Sequence, residues 1–405
     1  MIFNTWLFGV FGVAVFVVYW YVIPKKWRPY FLMATGIVFY ASAIPAYLLL
    51  ILCLGLVTYV VARWLLALRP DETVARRSAL AVGVVASVAV LGFFKYSKFF
   101  ALTFGALCKG GCINLVPNII VPLAISFFTF EFVHVLVDVY MGSITRLRAR
   151  DFWLFTLFFP TMVAGPIKRY QNFVPQIDRA QAMERLNGLV FAAGLFRVLM
   201  GLAKKSIVAD SMNPLIQPIL TPAAFYTPGD YWIAALAYTA KIYFDFSGYS
   251  DIAIGCAQLL GFQILENFDR PYWSENISVF WRRWHISLSS WIRDYLFIPL
   301  GGSRRGRVLT FANLAVVMAL AGLWHGAAWH FVLWGAWHGV GLGVHRIWSN
   351  LVVGRIPGST ANLPGLAAMS TLITFVFVVF GWVLFASPSI PTAAFVYANM
   401  IGIHT

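Results

Sequence analysis

The sequence predicts an all-α integral membrane protein of about ten transmembrane helices, with re-entrant and interfacial helices among them. Three observations carry this. First, 60% of the 405 residues are hydrophobic and only 11% are charged, with a mean hydropathy of +0.78; soluble domains carry roughly a quarter charged residues. Second, several apolar runs reach about the 20 residues that a helix needs to cross the hydrocarbon core. Third, those runs are continuously apolar, where a membrane β-barrel alternates apolar and polar residues.

The net charge of +15 raises nucleic acid as a partner. The basic residues instead form short clusters between apolar runs, as cytoplasmic loops of membrane proteins do, and no nucleic-acid-binding motif accompanies them. Such clusters attract membrane lipids with anionic headgroups, or the phosphates of a cytoplasmic co-substrate.

The spans follow in order. Met1–Thr5 hold no Lys or Arg, whereas Lys25, Lys26 and Arg28 follow the first apolar run. A secretory signal has the reverse layout, so Trp6–Ile23 is expected to be a retained helix with its N-terminus outside. Helices over Tyr30–Ala43 and Ala46–Leu68 return the chain to Arg69, Arg76 and Arg77. Ser78–Phe100 leads outward to a loop holding Cys108 and Cys112, where a disulfide is an option only in an oxidising compartment. Cys53 and Cys256 lie in apolar runs, as inert core cysteines do.

Pro117–Tyr140 leads back to Arg146, Arg148 and Arg150, with Glu131, His134 and Asp138 on one helical face. Ionisable groups at this depth face a protein interior or an aqueous cavity; a mutually satisfied network and a substrate-lining role are both open. Asp151–Pro166 is short and rich in helix breakers, which predicts a re-entrant hairpin. Leu186–Val208 crosses outward. In Trp232–Gly261, Lys241 and Asp245 stand four apart and can pair, and the polar run Ser247–Asp251 predicts an interruption after Phe246. Ile277–Phe297 has a Trp-rich apolar face with Arg282 and Arg293 on others, the pattern of one amphipathic interfacial helix with His285 at the border. Val308–Leu323, Phe331–Val344 and Leu366–Leu384 complete the spans. No repeat or linker divides the chain, so residues 1–405 are expected to form a single polytopic domain with a core at about 117–346.

Five of the seven histidines fall between Glu266 and Arg346, two in the tripeptides Trp324-His325-Gly326 and Trp337-His338-Gly339. Metal ligation is not expected: the spacing is wrong for a helical zinc pair and no carboxylate or cysteine is interleaved. His345 fits an interfacial position, and His330 and His338 fit hydrogen bonds to backbone groups near the glycines. His325 and His285 are candidates for a general base, because an apolar setting keeps imidazole neutral and able to take a proton. Acyl transfer to a hydroxyl needs such a base, with a second polar group to orient it or stabilise the oxyanion.

In these motifs the chain resembles the membrane-bound O-acyltransferase (MBOAT) family, in its bacterial branch of polysaccharide O-acetylation proteins of the alginate-acetylating type. The resemblance runs through Ser126-Phe127-Phe128-Thr129-Phe130, Ala164-Gly165-Pro166-Ile167 with Arg169-Tyr170, Lys204-Lys205 and Ala209-Asp210. It continues through Phe244–Asp251, Glu266-Asn267-Phe268, Arg270-Pro271-Tyr272, Phe280–His285 and both Trp-His-Gly tripeptides. It implies a ring of tilted helices around a central tunnel, where a cytoplasmic acyl thioester meets an acceptor from the other side. His325 matches the family's catalytic histidine, and His285 the second histidine of the bacterial branch. Asp245, Tyr249, Arg282, Trp324, Glu131 and His134 are then candidates for tunnel or support residues. The implied donor is acetyl-CoA or an acyl-carrier protein, and the implied acceptor an extracytoplasmic polysaccharide or acyl-relay protein. The implied location is the bacterial cytoplasmic (inner) membrane.

Two departures stand out. Members commonly have Phe-Arg-Ala where this chain has Phe385-Ala386-Ser387, and they commonly continue beyond the position of Thr405. The expectation is a core site that is kept and a helical ring that is incomplete or closed differently. Two other functions fit the residues: a transporter of an acyl donor or carrier, supported by polar groups at membrane depth and broken helices, and a D-alanyl transferase of the teichoic-acid type.

The topology is testable. With thiols kept reduced, a membrane-impermeant thiol reagent should label position 108 in cells whose outer layer alone is opened. Labelling only after the cytoplasmic membrane is breached would reverse the orientation.

Overall fold

The structure is a computed structural model and describes residues 3, 5–105, 119–163, 165–223, 225–304, 306–351 and 364–403. The Cys108–Cys112 loop lies outside the described residues. Contacts group the chain into two compact units, Met1–Leu202 with Tyr249–Leu265, and Ala203–Gly248 with Glu266–Thr405.

In the first unit, α1 (Trp6–Val17) ends in a π-turn, and α2 (Arg28–Ala41) starts with Pro29 in its first turn, where the missing N–H costs nothing. Then come α3 (Pro45–Ala67), α4 (Thr73–Leu91) and α5 (Ser97–Gly105). The next helix begins later than its apolar pattern predicts. Ala124 takes a left-handed conformation, φ +57°, and α6 runs from Ile125 to Tyr140; Pro122, which lacks a donor, stands just before it. After α7 (Ala149–Thr156) the chain makes only a 3-10 turn at Phe159–Thr161, too short for a crossing. Short helices α8 (Tyr170–Phe173) and α9 (Pro175–Ala182) precede α10 (Gly188–Ala203). α2, α3, α4, α6 and α7 bury an aromatic core that includes Phe39, Phe128, Phe132, Phe152 and Phe155.

After α11 (Gln217–Leu220), α12 runs unbroken from Pro228 to Leu259, which corrects the expected interruption after Phe246. Lys241, Asp245 and Asp251 each find a partner on another element. Asp251 pairs with Arg197 at 3.1 Å, inside the first unit. Asp245 pairs with Lys205 at 2.8 Å, inside the second. The expected Lys241–Asp245 pair does not form, since Lys241 donates to the Asn213 side chain.

The predicted single interfacial helix is two, α13 (Ile277–Arg283) and α14 (Ile286–Ile292), broken at His285 with φ +44°. The apolar pattern continues across this two-residue break at Trp284 and His285, so periodicity could not reveal it. α15 (Arg307–His325), α16 (Trp329–Leu351), α17 (Pro364–Ala386) and α18 (Ile390–Met400) complete the unit.

Among the described residues four helical stretches are long and apolar enough to cross a membrane: Pro45–Ala67, Thr73–Gly105, Val308–His325 and Gly365–Ala386. Helices such as α6 and α10, with 16 residues each, rise about 24 Å at 1.5 Å per residue, less than the roughly 30 Å of hydrocarbon.

α15 and α16 form the closest helix pair in the second unit. A Cβ on Gly335 would lie 2.0 Å from the Met318 carbonyl oxygen, and one on Gly339 would lie 2.8 Å from Ala315 Cα. This is a small-xxx-small contact, where absent side chains let two backbones touch. Gly335→Leu should therefore lower the melting temperature or abolish folded yield, read by fluorescence-detected size exclusion after heating. Gly9→Ala, whose Cβ meets nothing within 4 Å, should be neutral or slightly stabilising. Equal behaviour of the two variants would refute the close-packing argument.

Candidate active site

The C-terminal residue of α15 is His325, and the chain turns at Gly326 to enter α16. A Cβ on Gly326 would meet the Phe331 ring at 2.0 Å, so glycine is required for this tight reversal. The His325 ring contacts Trp324 edge-on at 4.7 Å between centroids, Trp334 at 5.1 Å and Phe385 at 5.2 Å. Trp324 also lies beside the His285 ring, at 6.2 Å. The structure thus brings His285, Trp324 and His325 into one neighbourhood of the second unit.

His285 is 1% exposed. Its left-handed backbone is uncommon for a residue with a Cβ, and local bonds hold it there. Ile286 N–H donates to the Asn267 carbonyl at 2.9 Å, and Asp269 N–H donates to the Arg283 carbonyl at 3.0 Å. The side-chain oxygen of Asn267 is 3.1 Å from His285 Nδ1, and the Phe246 ring meets the imidazole edge-on at 4.5 Å. His285 lies between two seven-residue helices, each about 10 Å long and too short to cross a membrane. Burial holds its imidazole well below the ordinary histidine range, and a charge on His325 would lower it further.

In the sequence Asn267 stands only as part of the Glu266-Asn267-Phe268 motif, with no role of its own. Eighteen residues separate it from His285, and no local pattern joins them; only the return of the chain beside α13 does.

The other histidines divide. His330 Nδ1 donates to the Ser387 carbonyl at 2.7 Å, a backbone bond as expected. His338 does not make one. Neither of its ring nitrogens has a hydrogen-bond partner among the described residues, and the ring packs among Phe280, Trp281, Trp334, Phe377 and Trp382.

Arg282 lines a cavity of about 380 Å³, together with Arg293, Ser289, Ser290, Met318 and Leu342. Ile286, next to His285, is part of its wall. Two guanidiniums and several apolar side chains in its lining suit a ligand that is anionic in one part and apolar in another.

Tyr249, Glu131 and His134 belong to the first unit. Tyr249 packs on its aromatic core, with the Phe3 ring at 6.4 Å. Glu131, His134 and Asp138 are all buried, as the cost of charge at membrane depth requires. Each takes a partner from one strap of chain. Glu131 takes the Lys168 ammonium, His134 Nε2 accepts from Tyr170 N–H at 3.1 Å, and Asp138 accepts from the Gln171 amide. This favours a structural clasp for α6 over substrate lining.

The clasp has a clear test. Lys168→Met strands a buried carboxylate and should cost about 3 kcal/mol or more, read by thermal unfolding in detergent. Lys168→Met combined with Glu131→Gln should recover part of that loss. A double variant as unstable as the sum of the singles would argue against pairing.

Comparison with known proteins identifies the family. The model of the membrane-bound O-acyltransferase family matches residues 72–385. A protein described as "Probable alginate O-acetylase AlgI" from Azotobacter vinelandii is 38% identical, covering 99% of this chain and 78% of that protein. A peptidoglycan O-acetyltransferase of Helicobacter pylori is 34% identical over 94% of this chain and 74% of its own length. A teichoic acid D-alanyltransferase of Bacillus subtilis is 29% identical over 66% and 69%. A family of enzymes decides between chemistry and transport in favour of chemistry. The chain belongs to the membrane-bound O-acyltransferase family and is a multi-pass membrane O-acyltransferase.

Proposed function

We propose that this enzyme is an O-acetyltransferase of the bacterial inner membrane, moving an acetyl group from cytoplasmic acetyl-CoA to an extracytoplasmic hydroxyl. That hydroxyl belongs to a polysaccharide or to a relay protein that passes the acetyl group on. The observation that carries the reading is the neighbouring pair His285 and His325 in an aromatic surround. Identity and coverage are greater for the O-acetylating relatives than for the D-alanyltransferase, which favours acetyl over D-alanyl transfer.

In this mechanism His325 removes the proton of the acceptor hydroxyl as its oxygen attacks the thioester carbonyl. The tetrahedral intermediate collapses by breaking the carbon–sulfur bond, and the leaving thiolate takes up the proton. Acceptor and acetyl-CoA become O-acetyl ester and CoA thiol, with no other reactant. His285 orients His325 or shares the proton, and Trp324 supports both rings. Arg282 and Arg293 receive the phosphates of the donor at the cavity they line, and Asp245 supports the site through its pair with Lys205. Tyr249, Glu131 and His134 maintain the first unit. Residues 1–405 act as one polytopic domain of about ten crossings, with donor and acceptor meeting at the histidine pair.

His325→Ala should insert and fold normally and lower CoA release from acetyl-CoA by about 10²–10⁴-fold, the usual contribution of a general base. O-acetyl content of the exported polymer should fall in parallel. If the two histidines act as a unit, His285→Ala added to His325→Ala makes little further difference; multiplied losses assign them separate roles. Undiminished acetylation by correctly inserted His325→Ala protein would overturn the assignment.

A further inference from the structure

The hydrogen bonds around His285 determine which of its nitrogens carries the proton. Two donors besides the ring converge on the side-chain oxygen of Asn267: the Ser287 backbone N–H at 3.2 Å and the Ser287 hydroxyl at 2.9 Å. A backbone N–H can only donate, so the amide atom facing it is the oxygen and not the nitrogen. That oxygen can only accept. His285 Nδ1, 3.1 Å from it, must therefore carry a hydrogen. In a neutral imidazole the lone pair then belongs to Nε2. Nε2 is buried and has no hydrogen-bond partner among the described residues.

We propose that Asn267 is a positioning residue, which, anchored by Ser287, holds His285 in the Nδ1–H tautomer and so presents Nε2 as a proton acceptor at the site. The proposal rests on the reading of His285 as a participant in acyl transfer and extends it to the residues that set its proton. The backbone supports the same arrangement. The Ile286 N–H to Asn267 carbonyl bond fixes the two segments in register, and the left-handed φ of His285 turns the ring toward the amide. Phe246, edge-on to the imidazole, limits its rotation. When Nε2 takes a proton, the imidazolium keeps its Nδ1–H bond to the amide oxygen, now charge-assisted and stronger. No rearrangement is needed as the proton arrives, which is the use of a preorganised acceptor.

The test uses the full-length protein in lipid nanodiscs, with acetyl-CoA as the donor and 15N-labelled histidine. The resonance pair lost in His285→Ala identifies the residue. In the wild type that pair should show a protonated Nδ1 and a bare Nε2 at neutral pH, and Asn267→Leu should lose this signature. A bare Nδ1 in the wild type would overturn the proposal outright.

The kinetic arm separates positioning from bulk structure. Asn267→Leu should lower kcat for CoA release by about 10²-fold with little change in KM for acetyl-CoA. Asn267→Asp still accepts from Nδ1 and should recover much of kcat. Its carboxylate favours the imidazolium, so the acid limb of the pH–kcat profile should move to higher pH. His325 is the titratable neighbour whose charge bears on His285, and the same shift should appear in the background of His325→Gln in the NMR titration. A residue that merely stabilises the fold would lower the melting temperature in both Asn267 variants, leaving the limb unmoved; that result would count against the proposal. Should His285→Ala transfer acetyl groups at the wild-type rate, the participation of His285 fails as a reading, while the tautomer measurement still decides the role of Asn267.

Discussion

A charged or polar group at membrane depth costs several kcal/mol unless it finds a partner, and much of this architecture follows from that constraint. Glu131 is matched by Lys168, Asp251 by Arg197, and Asp245 by Lys205. In each case the partner comes from a different stretch of chain, so pairing the charge also ties two elements together. The clasp on α6 shows this best. One strap, residues 168–171, gives a partner to each of three ionisable groups on one helical face. The same constraint applies to α12, whose Lys241, Asp245 and Asp251 are paired from outside while its backbone runs unbroken.

The site depends on a second condition, which is close approach. Gly335 and Gly339 let α16 lie directly on α15, and Gly326 lets Phe331 fold back on the turn between them. Together these place His325 against Trp334 and Phe385. The glycines of the Trp-His-Gly tripeptides are thus packing devices that position the histidine site. The two tripeptides are alike in sequence and unlike in setting. His325 ends a helix beside the second histidine, whereas His338 sits mid-helix among aromatic rings.

Both histidines of the site were visible in the sequence, because histidines are few and these lie in tryptophan-rich motifs. What surrounds them was not. The kink at His285 escaped because apolar periodicity is insensitive to a single left-handed residue. Asn267 escaped because its partnership spans eighteen positions and depends on a return of the chain that no local signal marks. Glu131, His134 and Asp138 were legible as an inward face, but their partners on the 168–171 strap carry no spacing rule that links them to α6.

The sequence by itself determined the membrane class, the helical character and the family, because these rest on composition, on run length and on ordered motifs that are read locally. It also determined that charged groups on apolar helices must turn inward, since lipid offers them no partner. Tertiary structure alone decided which partner each one takes, where helices break, and which nitrogen of His285 bears the proton. Those outcomes depend on atoms brought within 3–3.5 Å by distant parts of the chain, and hydrogen-bond direction has no counterpart in the order of residues.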